Sequence, residues 1–343
     1  MSEPITIGLI FGGASNEHVP STLTAKGILE GIDTERYNVV LIGIDLQGGW
    51  HRVDSVDDLE TAGPGGVPDS FEDIDVAFPL LHGKFGEDGT VQGYLELLGI
   101  PYVGCGVLAS AAGMDKQISQ QLFAAAGIPT IPTFTVTEAN RAEAAAAAAE
   151  YGYPVFVKPN RSGTSVGASP VAGPEDLDAA LDLALEHDDS ALLQPRLTFE
   201  EINIGVLQLE DGSLLTSPAN RVHISPDVPF YDYTTKYTKG LSSYEIPAAI
   251  PADLAARLDE YARLAFTALG GEGFARVDFF VGPDGQIIIN EINTIPGLTE
   301  FSQFPVMFKA LGMGYAELVE IFLRRALKAR PARTPHTLRR PAR

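Results

Sequence analysis

The segment ARVDFFVGPDGQIIINEINTIPG, residues 275–297, gathers four groups that can bind charge: Arg276, Asp278, Glu291 and Asn293. Side chains alternate faces along a strand, so Arg276, Asp278 and Phe280 share one side of one strand, and Glu291 and Asn293 share one side of the next. Pro283-Asp284-Gly285 reads as the turn that makes the two strands antiparallel neighbours. With a four-residue turn, Glu291 is expected to face Arg276 and to lie diagonal to Asp278. Two carboxylates and an amide oxygen, without His or Cys, are hard-oxygen donors suited to Mg²⁺ bridging nucleotide phosphates. The other reading is a solvated polar face with an ordinary Arg and acid pairing. Charge inside an Ile-rich strand is uncommon on such a face, which favours the metal.

Two lysines supply the complementary charge. Lys116 opens a helix pattern, and Lys158 ends the strand PVFVKP just before the loop NRSGTSVG. Small residues in that loop let backbone N–H groups approach an anion, and each Lys offers a point charge for phosphate. Neither GxxxxGK[ST] nor GxGxxG is present, which excludes a P-loop and a dinucleotide fingerprint.

The elements that must hold these groups alternate along the chain. The strand ITIGLIFGG is followed by a helix over 21–32, the strand VVLIGID, the strand DVAFPLLHG, a helix over 91–98 and the short IPYVG. This is the pattern of a parallel α/β unit. Next come a helix over 115–126, the strand PTFTV, an Ala-rich helix over 141–150, PVFVKP, a helix from Pro174 to about His187, and ALLQP. A third unit has the strand INIGVLQL, a turn at Asp211-Gly212, a Tyr-rich loop over 225–244, a helix over 252–269, the paired strands above and a last helix over 315–327.

Composition narrows the function. The 343 residues are 45% hydrophobic and 20% charged, as expected for a globular chain of two or three domains. With 24 Lys+Arg against 45 Asp+Glu, the net charge of −21 argues against nucleic acid as a partner. The longest apolar runs are too short to span a membrane, the N-terminus has no signal pattern, and the lone Cys105 allows no internal disulfide. A cytoplasmic protein without a membrane partner is expected. The last fifteen residues, with five Arg and no acid, read as a basic mobile tail.

The runs HGKFGEDGTVQGYLELLGIPYVGCGVLASAAGMDK, VKPNRSGTSVG, FYDYTTKY, and RVDFF followed by NEINTIPG resemble the D-alanine–D-alanine ligase family of the ATP-grasp superfamily. The similarity extends in order from about Gly8 to Met313. It implies an N-terminal α/β domain (residues 1–106) followed by a two-lobed ATP-grasp fold, with a central lobe (107–195), a C-terminal lobe carrying the metal site and lid (196–328), and the tail (329–343). It also implies ATP and two Mg²⁺ or Mn²⁺ as cofactors, D-alanine as substrate, and a homodimer. The activity would be ligation of two D-alanines through an acyl phosphate, for peptidoglycan precursors. The alternative is a related ligase with D-serine, D-lactate or another acceptor.

By matching position, the resemblance assigns Asp278, Glu291 and Asn293 to metal, and Arg276 with the Gly297 N–H to the oxyanion. Lys116, Lys158 and Lys236 fall on the phosphates, Gln194 and Leu197 at the adenine, and Glu201 on the ribose. Glu17 would receive the ammonium of the first D-alanine in a set with Thr164 and Tyr237, while His82 and Ser302 would face the second amino acid. The loop over 225–244 would be the lid. Some positions depart from the family pattern: Pro20 in EHVPS, Thr164 in place of Ser, the hinge Gln194-Pro195, and Glu300 and Gln303 near the second substrate.

Overall fold

The structure is a computed structural model and describes residues 4–67, 71–163, 165–224 and 242–329. The first sheet is built from β1 (Ile5–Gly12), β2 (Tyr37–Ile44), β3 (Trp50–Val53) and β4 (Val76–Pro79), in the order β3-β2-β1-β4. β1 runs parallel to both β2 and β4 and is buried along most of its length, which is why it reads as a continuous apolar run. α1 (His18–Gly31) follows β1, and α2 (Thr90–Leu98) follows β4. The edge strand β3 is antiparallel to β2, a feature that the sequence reading lacked. Its cause is local: the Asp45 carboxylate accepts from the N–H groups of Gln47 and Gly49, and Gly48 has φ +84°, so the chain reverses too tightly for a crossover.

Pro20 is the third residue of α1, where its missing N–H has no intrahelical partner to lose. The adjoining Ser21 hydroxyl accepts from Gly12 N–H (2.8 Å) and donates to Leu80 C=O (2.7 Å), tying the β1 loop to the end of β4.

Two helices lead out of this unit, α3 (Val107–Met114) and α4 (Lys116–Ala125), hinged at Asp115. α3 was not foreseen because VLASAAGM has little amphipathic signal. Its small residues serve close packing: a Cβ on Gly113 would lie 3.1 Å from the Thr294 methyl. Asp115 caps α4 by accepting from Ile118 N–H (3.0 Å), and Asn160 Oδ1 accepts from Gln117 N–H (2.9 Å). The start of α4 is thereby docked on the end of a neighbouring strand.

That strand belongs to the second sheet, with β5 (Phe134–Val136), β6 (Val155–Pro159), β7 (Ser169–Val171) and β8 (Ala191–Pro195) in the order β5-β8-β6-β7, all antiparallel. α5 (Ala144–Tyr151) and α6 (Leu177–Leu185) cover it with Ala and Leu. The third sheet holds β9 (Glu200–Gln208), β10 (Leu214–Thr216), β11 (Asn220–Ile224), β12 (Ser242–Glu245), β13 (Phe274–Val281) and β14 (Ile287–Asn293). Its order is β12-β11-β9-β13-β14, with β10 on β9. β12 corrects the end of the expected loop over 225–244: residues 242–245 pair antiparallel with β11, leaving 225–241 outside the described residues.

α7 (Ala252–Ala268) packs behind β9 and β13. α8 (Gln303–Lys309) packs on β9, and α9 (Tyr315–Ala329) returns to the first sheet. There Phe322 of α9 packs edge-on against Phe78 of β4 (6.2 Å) and close to Phe274 of β13 (4.3 Å), so one core spans the first and third sheets. Asp115→Ala, which removes the α4 cap, should lower unfolding stability by about 1 kcal/mol. Urea unfolding followed by circular dichroism measures it, and an unchanged midpoint would show that the cap contributes nothing.

Candidate active site

β13 and β14 bring the charged groups together, but not in the expected register. Arg276 pairs with Asn293, and Asp278 with Glu291, so each group is one step from where a four-residue turn would put it, and then one step further. The first step comes from the turn: Gly282 N–H donates to Gln286 C=O, leaving the three-residue loop Pro283-Asp284-Gly285 with Gly285 at φ +77°. The second is a β-bulge at Asn290, because Phe279 pairs with Ile289 while Asp278 already pairs with Glu291. Sharing of faces holds as the alternation requires. Arg276 grips Asp278 through two bonds of 2.7 Å, and Asn293 Nδ2 donates to the same carboxylate at 3.0 Å.

Two cavities meet at this face. One, of about 360 Å³, is lined by Glu17, His82, Arg276, Asn293, Gly297 and Ser302. The other, of about 430 Å³, is lined by Lys158, Gln194, Leu197, Glu201 and Asp278. Lys116 and Glu291 line both, with their charges 3.5 Å apart. The residues that the resemblance gave to amino acids thus sit on one side of this ion pair, and those given to nucleotide sit on the other. Thr164, Lys236 and Tyr237 lie outside the described residues.

The second cavity has a flat aromatic wall, where Phe199 stacks on Phe280 at 3.6 Å. Gln194 is buried and donates Nε2 to Thr133 Oγ1 (2.9 Å), so its amide oxygen is the group it can offer a ligand. Lys158 Nζ lies 3.4 Å from Asn290 Oδ1, and Lys116 Nζ donates to Ser162 C=O (2.8 Å). Burial, helped by the neighbouring Lys116 charge and opposed by Glu291, brings the Lys158 ammonium down to about 8. Burial works against the Arg276 charge as well, but Asp278, then Glu291 and Glu201, outweigh it and hold the guanidinium above its ordinary range.

The first cavity contains a carboxyl that the sequence reading missed. Glu87 takes Gly83 N–H at 2.7 Å, and one of its carboxylate oxygens lies within 4.8 Å of a Glu17 carboxylate oxygen and a His82 ring nitrogen. Burial, then the charge of Glu17, lifts it to about 8 despite hydrogen bonds from the Gly83 and Ile295 backbone. Its signal was in GEDG, a turn with two acids. Asp88 satisfies the turn, accepting from Phe85 and Thr90 N–H groups, and Glu87 is left facing inward. Burial drives His82 the other way, to about 4, with the Ile295 backbone opposing and Arg276 assisting. Gly163 gives Glu17 its room, since a Cβ there would sit 2.4 Å from Glu17 Oε1.

The two departures near the expected second substrate are otherwise engaged. Glu300 pairs outward with Lys309 at 3.4 Å. Gln303 Oε1 accepts from the Asn203 amide (2.9 Å) and the Asn220 amide (3.3 Å).

Glu87 and His82 set opposite pH dependences. Folded Glu87 keeps its proton to about 8, whereas in the unfolded chain it loses it near 4.5, so stability falls as pH rises across that window. His82 acts below 6.5, where the unfolded chain takes up a proton that the folded chain refuses until about 4. Glu87→Gln should therefore flatten the decline of Tm between pH 5 and pH 8. Parallel Tm profiles for the variant and the parent would place the retained proton elsewhere.

Comparison with known proteins matches residues 6–105 to the D-ala D-ala ligase N-terminus and residues 122–324 to the D-ala D-ala ligase C-terminus. The D-alanine--D-alanine ligase of Corynebacterium aurimucosum is 41% identical, with 95% of this chain and 98% of that one covered. Among solved structures, the VanG D-Ala:D-Ser ligase from Enterococcus faecalis superposes with TM-score 0.85 at 35% identity, covering 94% of this chain and 100% of that one. The D-alanine--D-alanine ligase from Bacillus anthracis complexed with ATP gives 0.75 at 29% identity, covering 95% and 98%.

Proposed function

The chain belongs to the D-alanine–D-alanine ligase family, and from that premise we propose how the two cavities divide the work of joining two D-alanines with ATP for peptidoglycan synthesis. The observation that carries the reading is the Lys116–Glu291 pair, where the nucleotide-side cavity opens onto the amino-acid side. A γ-phosphate entering from one side and a carboxylate from the other meet there.

The donor set fits Mg²⁺. Asp278 and Glu291 offer hard carboxylate oxygens, and Asn293, with its Nδ2 donated to Asp278, offers its amide oxygen. Bound there, two Mg²⁺ would neutralise phosphate charge as the phosphoryl group moves. Lys116 and Lys158 hold the phosphates, Gln194 accepts from the adenine amino group, Leu197 packs on the base and Glu201 holds the ribose. Glu17 fixes the ammonium of the first D-alanine so that its carboxylate oxygen attacks the γ-phosphorus and ADP leaves. The amine of the second D-alanine then attacks the carbonyl carbon of the acyl phosphate, and inorganic phosphate departs with the bonding pair and takes up the proton that the amine loses. Arg276 and the Gly297 N–H stabilise the oxyanion. The two bonds to Asp278 fix the plane of the guanidinium and leave Nη1 for this task. His82, neutral at physiological pH, and Ser302 face the second amino acid.

Thr164, Tyr237 and Lys236, outside the described residues, keep in this reading the roles that the resemblance gives them. A cytoplasmic homodimer is the proposed state. Among the described residues no helix is long and apolar enough to cross a membrane, and light scattering tests the dimer.

Phosphate release with ATP and a panel of D-amino acids, with products identified by mass, tests the substrate. D-Alanyl-D-alanine is expected, and a D-alanyl-D-serine or depsipeptide product would establish the alternative acceptor. Glu291→Gln should leave a folded protein with little turnover at saturating Mg²⁺, and near-normal turnover would overturn the metal assignment. Arg276→Lys should lower kcat by about a hundredfold or more with ATP binding nearly intact, since an ammonium cannot reproduce the planar fork. Weakened ATP binding at unchanged kcat would give Arg276 a ground-state role instead.

A further inference from the structure

The bulge at Asn290 decides which way Glu291 and Asn293 point. Without the extra residue, the pairing Phe279–Ile289 would continue as Asp278–Asn290 and Arg276–Ile292. A one-residue slip flips every following side chain, so Glu291 and Asn293 would turn to the face of Val277, away from Asp278 and Arg276. The bulge also brings two consecutive side chains, Asn290 and Glu291, to the wall of the same cavity, which a regular strand cannot do. Asn290 then meets Lys158, and Glu291 meets Lys116.

A bulge at a sheet edge leaves carbonyls without ladder partners, and β14 is an edge strand. Here they are taken by one buried side chain. Gln120 Nε2 donates to Ile289 C=O at 3.1 Å and to Asn290 C=O at 2.8 Å. Its Oε1 accepts from Ile131 N–H at 3.3 Å, and Ile289 N–H donates to Pro129 C=O at 2.9 Å, so the segment after α4 holds the same stretch of β14. Gln120 stands one turn after Lys116 on α4 and lines neither cavity.

We propose that Gln120 is a positioning residue for the ligation site: by capping both carbonyls of the Asn290 bulge, it fixes the register in which Glu291 and Asn293 face Asp278, and couples that register to the placement of Lys116. The proposal rests on the reading of Asp278, Glu291 and Asn293 as metal ligands. Gln120 touches no substrate and acts through the backbone of β14.

The test is Mn²⁺ binding to full-length protein with saturating ADP and no amino acid, followed by electron paramagnetic resonance, together with Tm. Gln120→Met keeps the length and removes the donors. It should weaken Mn²⁺ by about tenfold or more, the scale seen when groups supporting metal ligands are removed. Gln120→Lys restores donors to the two carbonyls and should bind Mn²⁺ within about threefold of the parent on that scale. Parent-like Mn²⁺ affinity in a folded Gln120→Met protein would overturn the proposal. If Gln120→Met does not fold, Gln120→Lys decides: parent-like binding supports the donor role, and a tenfold loss overturns it. A parent protein that binds no Mn²⁺ would refute the metal reading itself, a result separable from either variant's.

Discussion

The site depends on the two-bond grip of Arg276 on Asp278. Both groups are largely buried, and neither charge could stay there alone, because an unpaired buried charge costs several kcal/mol. Two residues apart on β13, they can meet only because the strand is extended and regular at that point. The pair sets the electrostatics of its neighbours. The carboxylates keep Arg276 charged against desolvation, and Arg276 helps keep His82 neutral. A guanidinium held in a fixed plane on the wall of the first cavity is a donor whose orientation is set on folding.

Around that pair the structure converges from three directions. β1 and α1 bring Glu17, the loop after β4 brings His82 and Glu87, and α4 brings Lys116. The Ile295 backbone, just beyond β14, opposes the effect of burial on both His82 and Glu87, so the loop of the first sheet faces the segment that follows the strand carrying Glu291. The shared Phe78–Phe322–Phe274 core holds the two sheets at this spacing. Core and site are therefore not separable: displacing α9 would loosen β4 against β13, and with it the geometry between His82 and Arg276.

Much of this was legible in residue spacing. Alternation alone put Arg276 with Asp278 and Glu291 with Asn293, since a period of two is a property of any strand. Register was not legible, because it depends on a loop one residue shorter than a four-residue turn and on a bulge whose carbonyls are held by Gln120, about 170 residues earlier in the chain. Glu87 was hidden for a related reason. In GEDG nothing distinguishes the acid that caps the turn from the one that turns inward, until Asp88 is seen to take the backbone N–H groups. β3, α3 and α8 were missed because short elements with little periodicity are defined by what they pack on.

The net charge of −21 is the wrong guide to the cavity lined by Lys116 and Lys158. Screening confines most surface charge to about 8 Å at physiological ionic strength, whereas Lys116 and Lys158 act at contact distance from the walls of a cleft. Their proximity has a consequence of its own. Burial, then the Lys116 charge, brings the Lys158 ammonium down to about 8, with Glu291 opposing. A polyphosphate would relieve that repulsion, raise the Lys158 value and restore its full charge. The acids elsewhere on the surface repel free polyanions, which leaves this lysine pair as the locally favourable place for one.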